Sequence, residues 1–257
     1  MSPVFMISHG DTETQRSINH FLSLLPPCLR GSVRIIITVL FLVLSSGIQA
    51  QEVLRGEVMV EMEPVYGFYI DEKYPLDTEE AYKRALQEGA MFFGASIYGW
   101  SFYYDIGEVA RGIEENFELT ASGEIQWGDT SLRVTHANFR DMKLWVWMDY
   151  VLRDSQLGRV RSWRSGTIRT AQAVGYGPLG LPGDVSDWLR IKRLVLEDAA
   201  RVAVRAMLQG SERNRPKEAR GYIGLQSFPL YWMDAGRWAC SARFYIDIRE
   251  IVPFSAY

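Results

Sequence analysis

Hydrophobic and polar positions follow two rhythms along this chain. The clearest helical one runs over residues 184–210, where Trp188, Ile191, Val195, Ala199, Val202 and Ala206 recur at steps of three and four. Arg190, Arg193, Glu197, Arg201 and Arg205 fall on the opposite side. Asp184 is placed as an N-cap, Asp187 lies near the positive end of the helix dipole, and Gly210 ends the run. Glu197 precedes Arg201 by one turn, the favourable order for a helical ion pair. A second helix is predicted after Asp77, which with Glu80 forms a capping-box-like start. Ala81, Ala85, Gly89 and Phe92 share one face, with Leu86 and Phe93 beside them. Lys83, Arg84, Gln87 and Glu88 are its wet side, and Gly94 is its stop. Both helices are rich in small residues on the apolar face, which suits close approach to a sheet.

Elsewhere the period is two, the signature of strands. Val58, Val60 and Met62 alternate and lead into the aromatic Tyr66, Phe68 and Tyr69, with Pro64 and Gly67 marking an edge or bulge. Residues 97–104 are aromatic and β-prone; 115–119 and 124–127 flank a turn at Ser122–Gly123; 132–139 alternate. Over 142–152, Leu144, Val146, Met148, Tyr150 and Leu152 form a core face, and Trp145 and Trp147 lie on the other. Residues 167–174 are a short strand. Strands at 221–230 and 238–248 flank the turn Asp234–Ala235–Gly236, and Cys240 lies on the apolar face of the last.

The glycine- and proline-rich stretch 154–183 divides the chain. The predicted fold class is α+β: two helices packed on antiparallel β-sheet, in two similar units of strand, helix and strands. The first unit is 51–153. A connection with a short strand occupies 154–183, and the second unit is 184–257.

Residues 1–50 read as a leader. Arg30 and Arg34 precede the apolar run 35–44, and small residues follow up to Ala50. This predicts a secretory signal peptide cleaved after Ala50, or an uncleaved membrane anchor, with the true translation start downstream of Met1. No cysteine follows the run in the position that lipidation needs. The protein is therefore expected to be exported, in the periplasm or cell envelope.

Composition changes this picture little. The 257 residues are 47% hydrophobic and 23% charged, enough for a real core. A net charge of -3, together with export, argues against a nucleic-acid partner. Beyond residue 50 the only histidine is His136 and the only cysteine is Cys240, so an intramolecular disulfide and a histidine-based metal cluster are excluded. His136 with Asp129 or Asp141 is a conceivable base, against the plainer reading of a strand histidine. Glu114 and Glu115 are adjacent and point apart on a strand. The segment GYGPLGLPG lacks the lysine of a phosphate loop and the spacing of a dinucleotide fingerprint. No catalytic residue, cofactor or metal ligand is predicted. The candidate partner surface is aromatic and basic: Trp145, Trp147, Arg159, Arg161, Trp163 and Arg164.

One stretch carries a family resemblance. IRTAQAVGYGP is followed by RIKRLVLEDAARVAVRAML, then EARGYIG and DAGRWACSARFYIDI. With Gly175, Gly177, Ala199, Ala200, Ala203, Ala206, Gly221, Gly236 and Trp238 in the matching places, residues 168–250 resemble small bacterial envelope lipoproteins of the Lpp-twenty type and the N-terminal domain of the flagellar T-ring assembly protein. The resemblance implies an envelope protein that assembles or is displayed, without catalysis. The functional expectation is an exported, non-catalytic envelope protein that acts through protein contacts, in surface structure or flagellar assembly. Its partner would be an envelope or flagellar protein, with membrane contact only through an uncleaved N-terminal segment. A periplasmic binder of a small ligand or lipid is the second reading, and a carboxylate-based hydrolase the third.

Overall fold

The alternation over 142–152 does become a strand with one wholly buried face: Leu144, Val146, Met148 and Tyr150 are each at most 1% exposed. A computed structural model describes residues 51–63, 75–108, 112–178, 188–211 and 216–253, without the side chains of 210 and 211. The leader 1–50, the aromatic continuation at 66–69, and Asp184 and Asp187 lie outside the described residues. Residues Glu52–Tyr257 make one compact unit.

Among the described residues there are three helices and nine strands. In chain order they are β1 (Val53–Glu61), α1 (Thr78–Ile97), β2 (Trp100–Asp105), β3 (Asn116–Ala121), β4 (Leu132–Arg140), β5 (Lys143–Val151), α2 (Asp154–Trp163), β6 (Arg169–Tyr176), α3 (Trp188–Ser211), β7 (Pro216–Leu225), β8 (Leu230–Asp234) and β9 (Arg237–Pro253). They form two antiparallel sheets. One has three strands in the order β1-β5-β4; the other has six, in the order β3-β2-β7-β9-β6, with β8 also on β9.

This arrangement corrects the predicted fold. The class remains α+β in general, but the described residues hold three helices and no pair of similar units. The reason lies in strand pairing. β2, from the first half, pairs with β7 of the second, Trp100 opposite Ile223. The six-stranded sheet therefore joins chain from both sides of the supposed division. The third helix, α2, falls inside the predicted connection; Gln156, Val160 and Trp163, spaced four and three apart, are its buried stripe.

Helix α1 packs against β1 and β5 of the small sheet and against β7 of the large one. Tyr98 closes it by donating its N–H to Gly94 O, and Gly99 follows in the left-handed region at φ 66°. A Cβ at Gly99 would stand 2.5 Å from Ile223 O, so glycine alone fits that corner. Gly94, predicted as the stop, is inside the helix. Asp77 occupies the N-cap position without a side-chain bond, so the capping box is not formed.

Helix α3 covers β6 and β9. The predicted intimacy of small residues is present here. A Cβ on Gly175 of β6 would meet Ala199 N at 2.2 Å and Val195 O at 2.4 Å. Cys240 is fully buried under the same helix, and burial pushes its thiol up to about 12. Glu197 pairs with Arg193 at 2.9 Å, and not with Arg201, which turns to Asp198 at 2.7 Å. Residues 124–127, expected to be a strand, are irregular and enter a turn at Trp127.

Candidate functional site

Charged residues inside a core need partners. Glu88 of α1 and Lys192 of α3, 1% and 5% exposed, are such a pair. Sequence pattern assigned Glu88 and Arg84 to the wet side of α1; both are buried. Lys192 Nζ donates to both Glu88 carboxylate oxygens, at 2.7 and 2.6 Å, and to Met59 O of β1 at 3.0 Å. All three ammonium N–H groups are thereby used. Aromatic rings complete the enclosure: Nζ lies 5.2 Å from the Tyr231 centroid, 5.4 Å from Trp238 and 6.0 Å from Trp188. Tyr231 in turn donates its hydroxyl to Lys192 O at 2.8 Å. Burial raises Glu88 above the usual carboxyl range, against the pull of the Lys192 ammonium. A crevice of about 170 Å³, walled by Met59, Phe92, Phe228 and Tyr231 among others, reaches this carboxyl.

The pair does more than satisfy itself. One turn earlier on each helix, the Arg84 guanidinium lies 5.6 Å over the Trp188 ring. These two contacts hold α1 against the start of α3. On the flank of that junction lies a groove of about 540 Å³. Gln87, Ala90, Met91, Gly94 and Ala95 form a stripe along α1 that makes its floor. Leu189, Arg190 and Arg193 of α3 wall one end. The far end is made by Trp100, Ala121, Gly123, Glu124, Ile125 and Trp127, and a Cβ on Gly94 would lie 3.6 to 4.0 Å from the Gly123–Ile125 backbone. Trp127, 61% exposed, stands on the lip. Glu124 is the one carboxylate among the described lining residues.

The predicted partner surface divides. Trp145 and Trp147 lie half-buried on the outer face of the small sheet, where Trp147 meets His136 with ring centroids 5.1 Å apart. Arg159 sits over the Tyr98 ring at 5.5 Å, Arg161 is exposed, and Arg164 pairs with Glu52. Trp163 is corrected: it is 9% exposed, donates Nε1–H to Ile97 O at 3.1 Å and stacks on Tyr245. It is a core residue, and no partner reaches it. Asp129 accepts from Tyr150, Arg153 and the Ser131 N–H, and Asp141 pairs with Arg140, so both candidate helpers of His136 are engaged elsewhere. Glu115 precedes its strand and binds Tyr104, Arg201 and Arg205.

Sequence reasoning missed the Glu88–Lys192 pair and the groove. A signal for the first existed, since Lys192 falls between Ile191 and Val195 on the core side of α3. The groove draws on α1, α3 and the 121–127 segment and has no local signature. Among the described residues no helix is long and apolar enough to cross a membrane.

Comparison with known proteins adds kinship without a function. A protein of Treponema pallidum (strain Nichols), described as an uncharacterized protein, is 24% identical over 169 residues, which is 66% of this chain and 68% of the relative. No solved structure gives a significant match. Nothing in these matches points to the Lpp-twenty lipoproteins or the flagellar T-ring domain. One family model, in contrast, runs over residues 44–254, nearly the whole described fold, and the chain belongs to that family, the family of the uncharacterised Treponema protein.

Proposed function

We propose that this is an exported, non-catalytic binding protein whose α1–α3 groove holds a small apolar ligand. The observation that carries the reading is the groove itself. Its volume of about 540 Å³ falls among small-molecule sites, which span about 300–1,000 Å³. Its lining is mainly apolar, with Gln87, Arg190 and Arg193 toward the α1–α3 junction and Glu124 toward the far end as the polar groups that could orient a ligand. A hydrolase would need two carboxylates facing one cleft, and Glu124 is alone there among the described lining residues. Export rests on the leader pattern of residues 1–50.

A second reading has its own observation. The paired tryptophans Trp145 and Trp147, beside His136 on an open sheet face, suit a protein partner in the envelope. The two readings are compatible, because groove and sheet face share no residue.

The test is native mass spectrometry of protein purified without detergent, alongside displacement of an environment-sensitive dye. Ala90→Trp fills the floor at a half-buried helix position. A bound mass or dye signal that disappears in Ala90→Trp is expected. Absence of any ligand or dye binding, or binding indifferent to that substitution, overturns the proposal.

A further inference from the structure

The far wall of the groove is a strap that belongs to neither sheet. Residues 122–131 connect β3 to β4, and Gly123, Glu124, Ile125 and Trp127 of this segment line the groove. Two pins fix it. The first is Gly123, whose backbone rests on Tyr98; a Cβ there would stand 2.8 Å from Tyr98 Cγ. The second is Asp129, whose carboxylate accepts from the Tyr150 hydroxyl at 3.0 Å and from Arg153 Nη2 at 2.9 Å. Both pins lead to one residue of α2. Gln156 donates from Nε2 to Tyr98 Oη at 2.8 Å and to Tyr150 Oη at 2.9 Å, and its Oε1 accepts the Arg153 N–H at 2.9 Å. Both amide donors and the carbonyl are thereby engaged, which leaves the side chain one orientation. Gln156 is 3% exposed and does not line the groove.

We infer that Gln156 is a positioning residue for the groove: acting through Tyr98 and Tyr150, it sets where the strap stands against α1 and so the girth of ligand admitted. The inference rests on the groove reading and adds how the site selects. The strap backbone lies within van der Waals reach of the Gly94 position on the floor, so an outward shift of the strap widens the groove directly.

Hexanol, cyclohexanol and adamantanol share one hydroxyl and increase in girth. Their competition with an environment-sensitive dye gives three affinities for the full chain. Gln156→Leu removes the three bonds at similar volume. Gly123→Ala drives the strap off Tyr98, because its Cβ points at that ring and not into the groove. Both should shift the affinity ratio toward adamantanol over hexanol by on the order of threefold or more. Val204→Ala loosens the buried face of α3 away from the strap and should leave the ratio at its wild-type value, so loss of stability alone does not imitate the effect. Should Gln156→Leu fail to fold, Asp129→Asn, which weakens the second pin, takes its place. A ratio that stays put or moves toward hexanol in either strap variant, or that moves as far in Val204→Ala, overturns the inference and leaves the groove reading standing. Failure of the dye and all three alcohols to bind the wild type overturns both.

Discussion

Glu88→Ala is the substitution that should harm this protein most for the least change in size. The Glu88 and Lys192 side chains are 2% and 6% exposed, so bulk water screens the pair poorly. Lys192 would keep Met59 O as its one bonded acceptor, and the faces of three aromatic rings. Breaking one side of a buried pair costs ~3–5 kcal/mol. At ~2–4 °C per kcal/mol for a unit of this size, the melting temperature should fall by roughly 6–20 °C. Replacing both partners, Glu88→Leu with Lys192→Met, removes the stranded charge and should recover most of that loss. Urea unfolding of the wild type, Glu88→Leu, Lys192→Met and the double variant, followed by circular dichroism, measures the coupling, with Glu88→Ala run alongside. A single-variant loss below about 1 kcal/mol, or a double variant as unstable as the sum of the singles, refutes the reasoning.

The same group fixes a pH dependence. Burial lifts Glu88 above its ordinary value of 4.5 in the folded state. The folded protein then holds more protons than the unfolded chain between 4.5 and that raised value. The stability due to Glu88 is thus fully present below 4.5 and is lost as pH rises through the folded value, opposite to the usual carboxylate. Glu88→Gln should flatten that part of the stability–pH curve.

Other substitutions follow from the packing. Gly175→Ala should cost roughly 1–3 kcal/mol or more, because its Cβ meets the α3 backbone at 2.2 Å. Gly158→Ala, with open space around it in α2, should gain ~0.5–1 kcal/mol of helix propensity in the same urea assay. Trp163→Ala should cost ~3–5 kcal/mol by thermal unfolding, while the exposed Arg161→Ala stays within ~0.5 kcal/mol. Cys240, fully buried with its thiol pushed up to about 12, should react with a thiol reagent only once the protein is unfolded.

Particular residues show where sequence pattern suffices. The strands β5 and β9 were legible because alternation with one covered face leaves a period of two, and Leu144, Met148, Phe244 and Ile246 are buried as expected. The alanines of α3 were legible too, since small residues along one helix face suit close packing on a sheet, whereas Gly175, which meets Ala199, read as part of the connecting turn. Helix α2 was hidden by Gly158 and Gly166, which read as connection, and the neighbouring arginines made Trp163 look like surface. Glu88 and Lys192 were hidden for a deeper reason. Charged side chains are assigned to water by type, and only a contact 104 residues away in sequence brings these two inside. The groove depends on that contact, and so it was invisible for the same cause. The shared sheet was out of reach as well, because nothing local to β2 selects β7 as its partner.

The most direct measurement is a crystal structure of the protein soaked with a small brominated apolar probe, located by anomalous scattering. A bromine peak in the α1–α3 groove beside Ala90 and Met91 is the predicted result. Bromine on the open sheet face beside Trp145 and Trp147, or a groove left empty at saturating ligand, would contradict the account.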